Sequence, residues 1–124
     1  MGHQERILVV EDNQQLRNML INALGRLGHQ VLEAHNSQSA QRVIEQGERF
    51  DLVLSDVIMP DLSGIELMRW LHRHAPGLRV LLMSGHTGDA SSTLDMETWS
   101  TIQLRKPFTL EALAQKVHWI LGTQ

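Results

Sequence analysis

The chain contains no cysteine, so neither a disulfide framework nor a thiolate metal site is available to it. No apolar run approaches the roughly 20 residues that a membrane-spanning helix needs. Charge of one sign is also missing. Eleven Lys and Arg stand against 14 Asp and Glu, a net charge of −3, which gives no bulk electrostatic reason to expect direct nucleic-acid binding or membrane contact. No signal-peptide pattern opens the chain, and no repeat, linker or low-complexity run interrupts it. What remains is 124 residues, 42% hydrophobic and 20% charged, enough for one domain with a substantial core. The expectation is a single cytoplasmic domain spanning 1–124, although the same features would suit one module of a longer protein.

Short apolar runs alternate with amphipathic segments along the whole chain. ILVV (7–10), HQVLEA (29–34), FDLVLS (50–55), LRVLLMS (78–84) and TIQL (101–104) have strand character. Between them, Leu16, Met19, Leu20, Ala23, Leu24 and Leu27 recur at helical spacing before Gly28. Ala40, Val43 and Ile44 mark a second helix ending near Gly47. Ser63 and Glu66 form a capping-box pattern ahead of Leu67, Met68 and Leu71. Leu110, Leu113, Ala114, Val117, Ile120 and Leu121 mark the last helix, whereas Gly85 to Ser100 reads as a loop plus a short, weakly anchored fourth helix. Five strands alternating with five helices imply right-handed crossovers and a parallel α/β sheet covered on both faces. Such sheets bind ligands at the carboxyl ends of their strands.

The residues at those ends form a short set. Strand 1 runs into Glu11-Asp12, strand 3 into Asp56, strand 4 into Ser84-Gly85 and strand 5 into Lys106-Pro107. Taken singly, each is most simply a turn residue, a cap or a solvated charge. Together they bring three carboxylates, a hydroxyl and an ammonium to one rim. Crowded acids repel one another and call for a cation. Oxygen donors suit a hard ion such as Mg²⁺, and the lysine and hydroxyl suit a phosphoryl group.

ILVVEDN, LSDVIMPDLSG, LLMSG and LRKPF resemble, in combination and order, the motif regions of response-regulator receiver domains, over nearly the whole chain. The resemblance implies a flavodoxin-like, doubly wound five-stranded sheet in the order 2-1-3-4-5. It implies that Asp56 accepts a phosphoryl group from the phosphohistidine of a histidine kinase or phosphotransfer domain. Asp12 would ligate Mg²⁺ directly and Glu11 through water, with Asp56 and the backbone carbonyl of Ile58 completing the protein's share. Ser84 would hydrogen-bond the phosphoryl group, Lys106 would pair with it, and Lys106-Pro107 would be cis. LEA (32–34), LMSGHT (82–87) and LRKPFTLEALAQKV (104–117) are most similar to receivers attached to hybrid sensor histidine kinases. Weak homodimerisation is compatible with this reading, and such a domain regulates rather than acting as an enzyme on a metabolite.

The chain departs from the family pattern at Gln103, where many receivers carry an aromatic that turns inward on activation. Ile58 and His86 take the positions that tune the lifetime of the phosphoryl group. The competing readings are a pseudo-receiver that binds partners without using phosphate and a haloacid-dehalogenase-type phosphatase. The latter chemistry wants a second acid two residues after the nucleophile, and Ile58 stands there. Seven histidines invite a zinc hypothesis, but His72 and His74 do not share a helix face. Trp70, Trp119 and Met59 read as packing or interface residues, and Trp99 as the most exposed tryptophan.

Overall fold

In the computed structural model, which describes residues 5–85 and 102–122, each apolar run becomes a strand bounded by turn or cap residues. The elements are β1 (Arg6–Val10), α1 (Gln14–Arg26), β2 (Gln30–Ala34), α2 (Ser37–Glu45), β3 (Leu52–Asp56), α3 (Gly64–His74), β4 (Arg79–Ser84), β5 (Gln103–Arg105) and α4 (Leu110–Gly122). The strands pair in parallel in the expected order β2-β1-β3-β4-β5. Val10 pairs with Ala34 and Ser55, Asp56 with Met83, and Ser84 with Arg105. The last residues of β3 and β4, and those that follow β1 and β5, therefore meet along one rim.

Alternation along the strands divides the core into two layers. Leu8, Val10, Val53, Val80 and Leu82 pack with Ala40 of α2 and Ile65, Met68 and Leu71 of α3. Ile7, Val9, Leu52, Leu54 and Met83 pack on the other face with Leu20 and Leu24 of α1 and Leu113 and Val117 of α4. A sheet buried on both sides needs apolar residues at successive positions, which is why these runs do not read as alternating polar and apolar.

Local chemistry sets the helix starts. The side chains of Asn13 and Asn36 accept from Leu16 N at 2.9 Å and Ser39 N at 2.7 Å. The Ser63–Glu66 capping box is present, with both bonds at 3.1 Å. Gly47, at φ +94°, follows α2 in the left-handed conformation that favours glycine.

Several expectations change. β3 continues through Asp56, so the acid is the last strand residue rather than the first beyond it. β5 is 103–105 instead of 101–104. Met19, Leu27 and Leu110 are 40%, 49% and 52% exposed despite their place in the apolar periodicity. Leu27 is the C-cap of α1 and Leu110 opens α4, so both lie at helix ends. Four helices occur among the described residues. The expected helix within 85–100, together with His86 and Trp99, lies outside them apart from Gly85. Among the described residues no helix is long and apolar enough to cross a membrane.

Candidate functional site

β1 and β3 are the central strands, and their ends deliver the two most buried acids. Glu11 is 1% exposed and Asp56 is 8% exposed. Burial of such groups is costly unless each oxygen finds a partner. Asp56 does: its Oδ2 lies 2.6 Å from Lys106 Nζ, and its Oδ1 accepts from Ile58 N at 3.1 Å. Glu11 is only half satisfied. Its Oε2 accepts from Asn13 N at 3.0 Å, while its buried Oε1 has no partner among the described residues. Desolvation pushes the Glu11 carboxyl up to about 7, the Asn13 bond opposes the rise, and the charge of Asp56 adds to it.

Lys106 comes from the segment after β5, where the Lys106-Pro107 peptide is cis, as the resemblance implied. Its own amide donates to the Ser84 carbonyl at 2.7 Å, tying the end of β4 to the lysine. Ser84 itself is fully buried. Asp12 is exposed and, with Glu11, Asp56, Ile58 and Lys106, lines an open cleft of about 770 Å³. The Ile58 side chain is 66% exposed at its edge. Leu16, Met19, Pro107 and Phe108 form an apolar shelf that shares Lys106 with the cleft. Gln103 is partly buried, with an Oε1 that lacks a partner among the described residues.

The donors fit a hard divalent cation. They are oxygens only, and the orphaned Glu11 Oε1 is a buried anion-forming atom that a cation would satisfy. Among the described residues no three Asp, Glu or His side chains close into a metal-enclosing group. Any ion held here would therefore draw on few protein oxygens and keep several waters, as Mg²⁺ commonly does.

Two further residues shape the site and are not singled out by the sequence. Gly64 opens α3 so close to β3 that a Cβ there would collide with the Asp56 carbonyl oxygen. A glycine in the first turn of a helix, where it is a poor helix former, was the available signal. Arg17 donates from Nη1 to the Glu11 carbonyl at 2.8 Å and from Nε to Glu33 Oε1 at 2.7 Å. No pattern in the sequence pairs residues that far apart.

Residues 7–118 match the family model described as the response regulator receiver domain. The chain is 32% identical over 117 residues to the response regulator receiver protein CpdR of Brucella abortus, covering 94% of this chain and 97% of that one. It is 34% identical over 119 residues to the sensor kinase CckA of the same organism, covering 95% of this chain but 13% of the kinase. It also spans only 24% and 50% of the length of two curated transcriptional regulators. The crystal structure of TrrA from Thermotoga maritima in complex with Mg²⁺ and BeF superposes with a TM-score of 0.80 at 27% identity, covering 94% of this chain and 99% of that one.

Proposed function

The chain belongs to the response regulator receiver domains, the phosphoacceptor modules of two-component signalling, and on that premise we propose that Asp56 is the residue phosphorylated. The observation that carries the assignment is the Lys106 Nζ–Asp56 Oδ2 contact of 2.6 Å beside the half-satisfied Glu11. A carboxylate held from two sides is oriented for attack on phosphorus. One Asp56 oxygen forms the new O–P bond as the P–N bond of a phosphohistidine breaks, and the histidine nitrogen leaves with the electron pair. Lys106 would shift from the carboxylate to the phosphoryl oxygens, and the Ser84 hydroxyl, at the end of β4, would follow it.

Members of this family typically bind Mg²⁺. Asp12, Glu11, Asp56 and the Ile58 carbonyl are the groups that would hold it, Asp12 directly and Glu11 through water. When bound, the ion offsets the charge shared by the carboxylates and the incoming phosphoryl oxygens.

The partner is a histidine kinase or a phosphotransfer domain. The apolar shelf of Leu16, Met19, Pro107 and Phe108 beside the cleft gives such a protein a surface to rest on while its histidine reaches Asp56. The domain is a regulatory module acting in the cytoplasm rather than an enzyme with a metabolite substrate. The similarity to CckA fits a receiver within a hybrid kinase as that to CpdR fits a receiver that stands by itself, and recovery of the flanking gene sequence would decide between them.

Acetyl phosphate with Mg²⁺ should add one phosphoryl mass to the intact protein. Chelation of the metal, or Asp12→Ala, should prevent it. Equal labelling in the presence of excess chelator would overturn the metal assignment, and no labelling of the wild-type chain by any phosphodonor would overturn the phosphoacceptor reading itself.

A further inference from the structure

Arg17 presents a contradiction. It sits on α1 with its side chain only 14% exposed, within hydrogen-bonding distance of the backbone of Glu11. A permanent cation so near an acidic cleft opposes the binding of a metal ion by simple Coulomb repulsion. If the cleft serves a divalent cation, Arg17 must return something that outweighs this cost.

The geometry shows what it returns. Nη1 donates to the Glu11 carbonyl at 2.8 Å, and Nε donates to Glu33 Oε1, on the edge strand β2, at 2.7 Å. The Glu11 amide in turn donates to the Ala34 carbonyl at 3.0 Å, and Asn13 N donates to Glu11 Oε2 at 3.0 Å. Glu11 is therefore held from β2 through its amide, and the peptide that joins it to Asp12 is held from α1 through its carbonyl. A guanidinium is a rigid fork that can serve two divergent acceptors at once, and charge-assisted bonds of this kind are about twice as strong as neutral ones. Glu33 holds the fork, and the fork holds the turn.

We propose that Arg17 is a positioning residue for the divalent-cation site, fixing through the Glu11 carbonyl the β1–α1 turn that carries the Glu11 and Asp12 carboxylates. The proposal rests on the phosphoacceptor reading above. It places Glu33, which lies outside the cleft, in the same support.

The sign of one measurement separates this role from electrostatics. Mn²⁺ binding to the full chain can be followed by the electron paramagnetic resonance signal of the free ion, with no phosphodonor present. If Arg17 acts only as a nearby charge, Arg17→Met removes a repelling cation and tightens Mn²⁺ binding. If it positions the turn, Arg17→Met weakens binding by about tenfold, the lower end of what loss of an outer support typically costs a metal site. Arg17→Lys keeps the charge but has one ammonium where two acceptors diverge, and should also weaken binding. It carries the test if the methionine variant does not fold. Melting in chelator measures the purely structural contribution, which by itself leaves Mn²⁺ affinity unmoved. Binding in Arg17→Lys equal to wild type, or binding in Arg17→Met equal or tighter, overturns the proposal even though the wild-type chain takes a phosphoryl group. A wild-type chain that takes none overturns the reading beneath it.

Discussion

Glu11 and Asp61 lie near the same rim of the sheet, and the fold treats them in opposite ways. Asp61 is exposed in the segment between β3 and α3. Its Oδ1 accepts from Ser37 N at 3.1 Å and its Oδ2 from Gln38 N at 2.8 Å. Desolvation alone would raise its carboxyl, but the backbone bonds from Gln38, Ser37, Asp61 and Leu62 together hold it below the usual carboxylate range. Glu11 has one backbone donor, one buried oxygen without a partner among the described residues, and a carboxyl pushed up to about 7. A carboxylate saturated with donors stabilises the chain around it. One starved of donors is unfavourable in the protein alone and becomes favourable only when something external supplies positive charge. The contrast marks the cleft at Glu11 and Asp56 as the working region and the Asp61 clamp as scaffold.

The sharpest way to break that division is to remove the proposed nucleophile. Asp56→Asn keeps the shape but loses the anionic oxygen that attacks phosphorus, so the phosphorylated mass should disappear completely. A label that persists and maps to Asp61 would reverse the roles assigned to the two regions.

Gly64 opens α3 just after Asp61 in the chain and packs against the end of β3. Gly64→Ala sets a Cβ against the Asp56 carbonyl, so either α3 retreats or the end of β3 shifts. Overpacking of this kind costs about 1–3 kcal/mol, readable as a lower midpoint in urea. Because the strain falls on Asp56 itself, phosphorylation should slow as well. An unchanged midpoint would mean that the helix can withdraw freely.

Glu11 gives the comparison a pH signature. Its folded value, about 7, stands above its ordinary 4.5. Between these the folded chain keeps a proton that the unfolded chain has released, so unfolding stability falls as pH rises through the window. In chelator, wild type should therefore lose stability relative to Glu11→Gln between about pH 4.5 and 7. Added Mg²⁺ should restore part of the loss above pH 7 in wild type and less in the variant. Parallel pH curves for the two proteins would show that Glu11 is not starved.

Much of this was readable before the fold. The apolar runs and their spacing led to a parallel α/β sheet, the family resemblance to its strand order, Ser63 and Glu66 to the third helix start, and the residues after the runs to Glu11, Asp12, Asp56, Ser84 and Lys106. Periodicity tells which face of a helix is apolar but not what that face meets, and so it misplaced Leu27 and Leu110 at helix ends and Met19 beside the cleft. It also cannot say how many donors an acid receives. Asp61 and Glu11 look alike as letters, and they diverge only because α2 points its first amides at one and the chain leaves the other facing Asp56. Arg17 and Glu33 meet across sixteen residues through tertiary packing alone.

The smallest effect belongs to the clamp. The first amides of α2 have no partner within the helix. Ser37 N and Gln38 N use Asp61, and Ser39 N uses Asn36. Ser37 Oγ also donates to the Leu62 carbonyl at 2.8 Å, so the β3–α3 segment and α2 brace each other. Asp61→Ala should cost about 1 kcal/mol, as loss of a helix-capping acceptor typically does, and less where solvent screens it. The folded carboxyl is depressed, so its contribution is present above its ordinary 3.8 and fades as pH falls through the folded value. Urea midpoints of wild type and variant should differ at pH 7 and draw together as pH falls below 3.8. Phosphoryl uptake should remain, because nothing in the clamp touches Asp56. If Asp61→Ala abolished uptake as fully as Asp56→Asn, the saturated acid would belong to the working region after all, and the contrast between the two carboxylates would have to be abandoned.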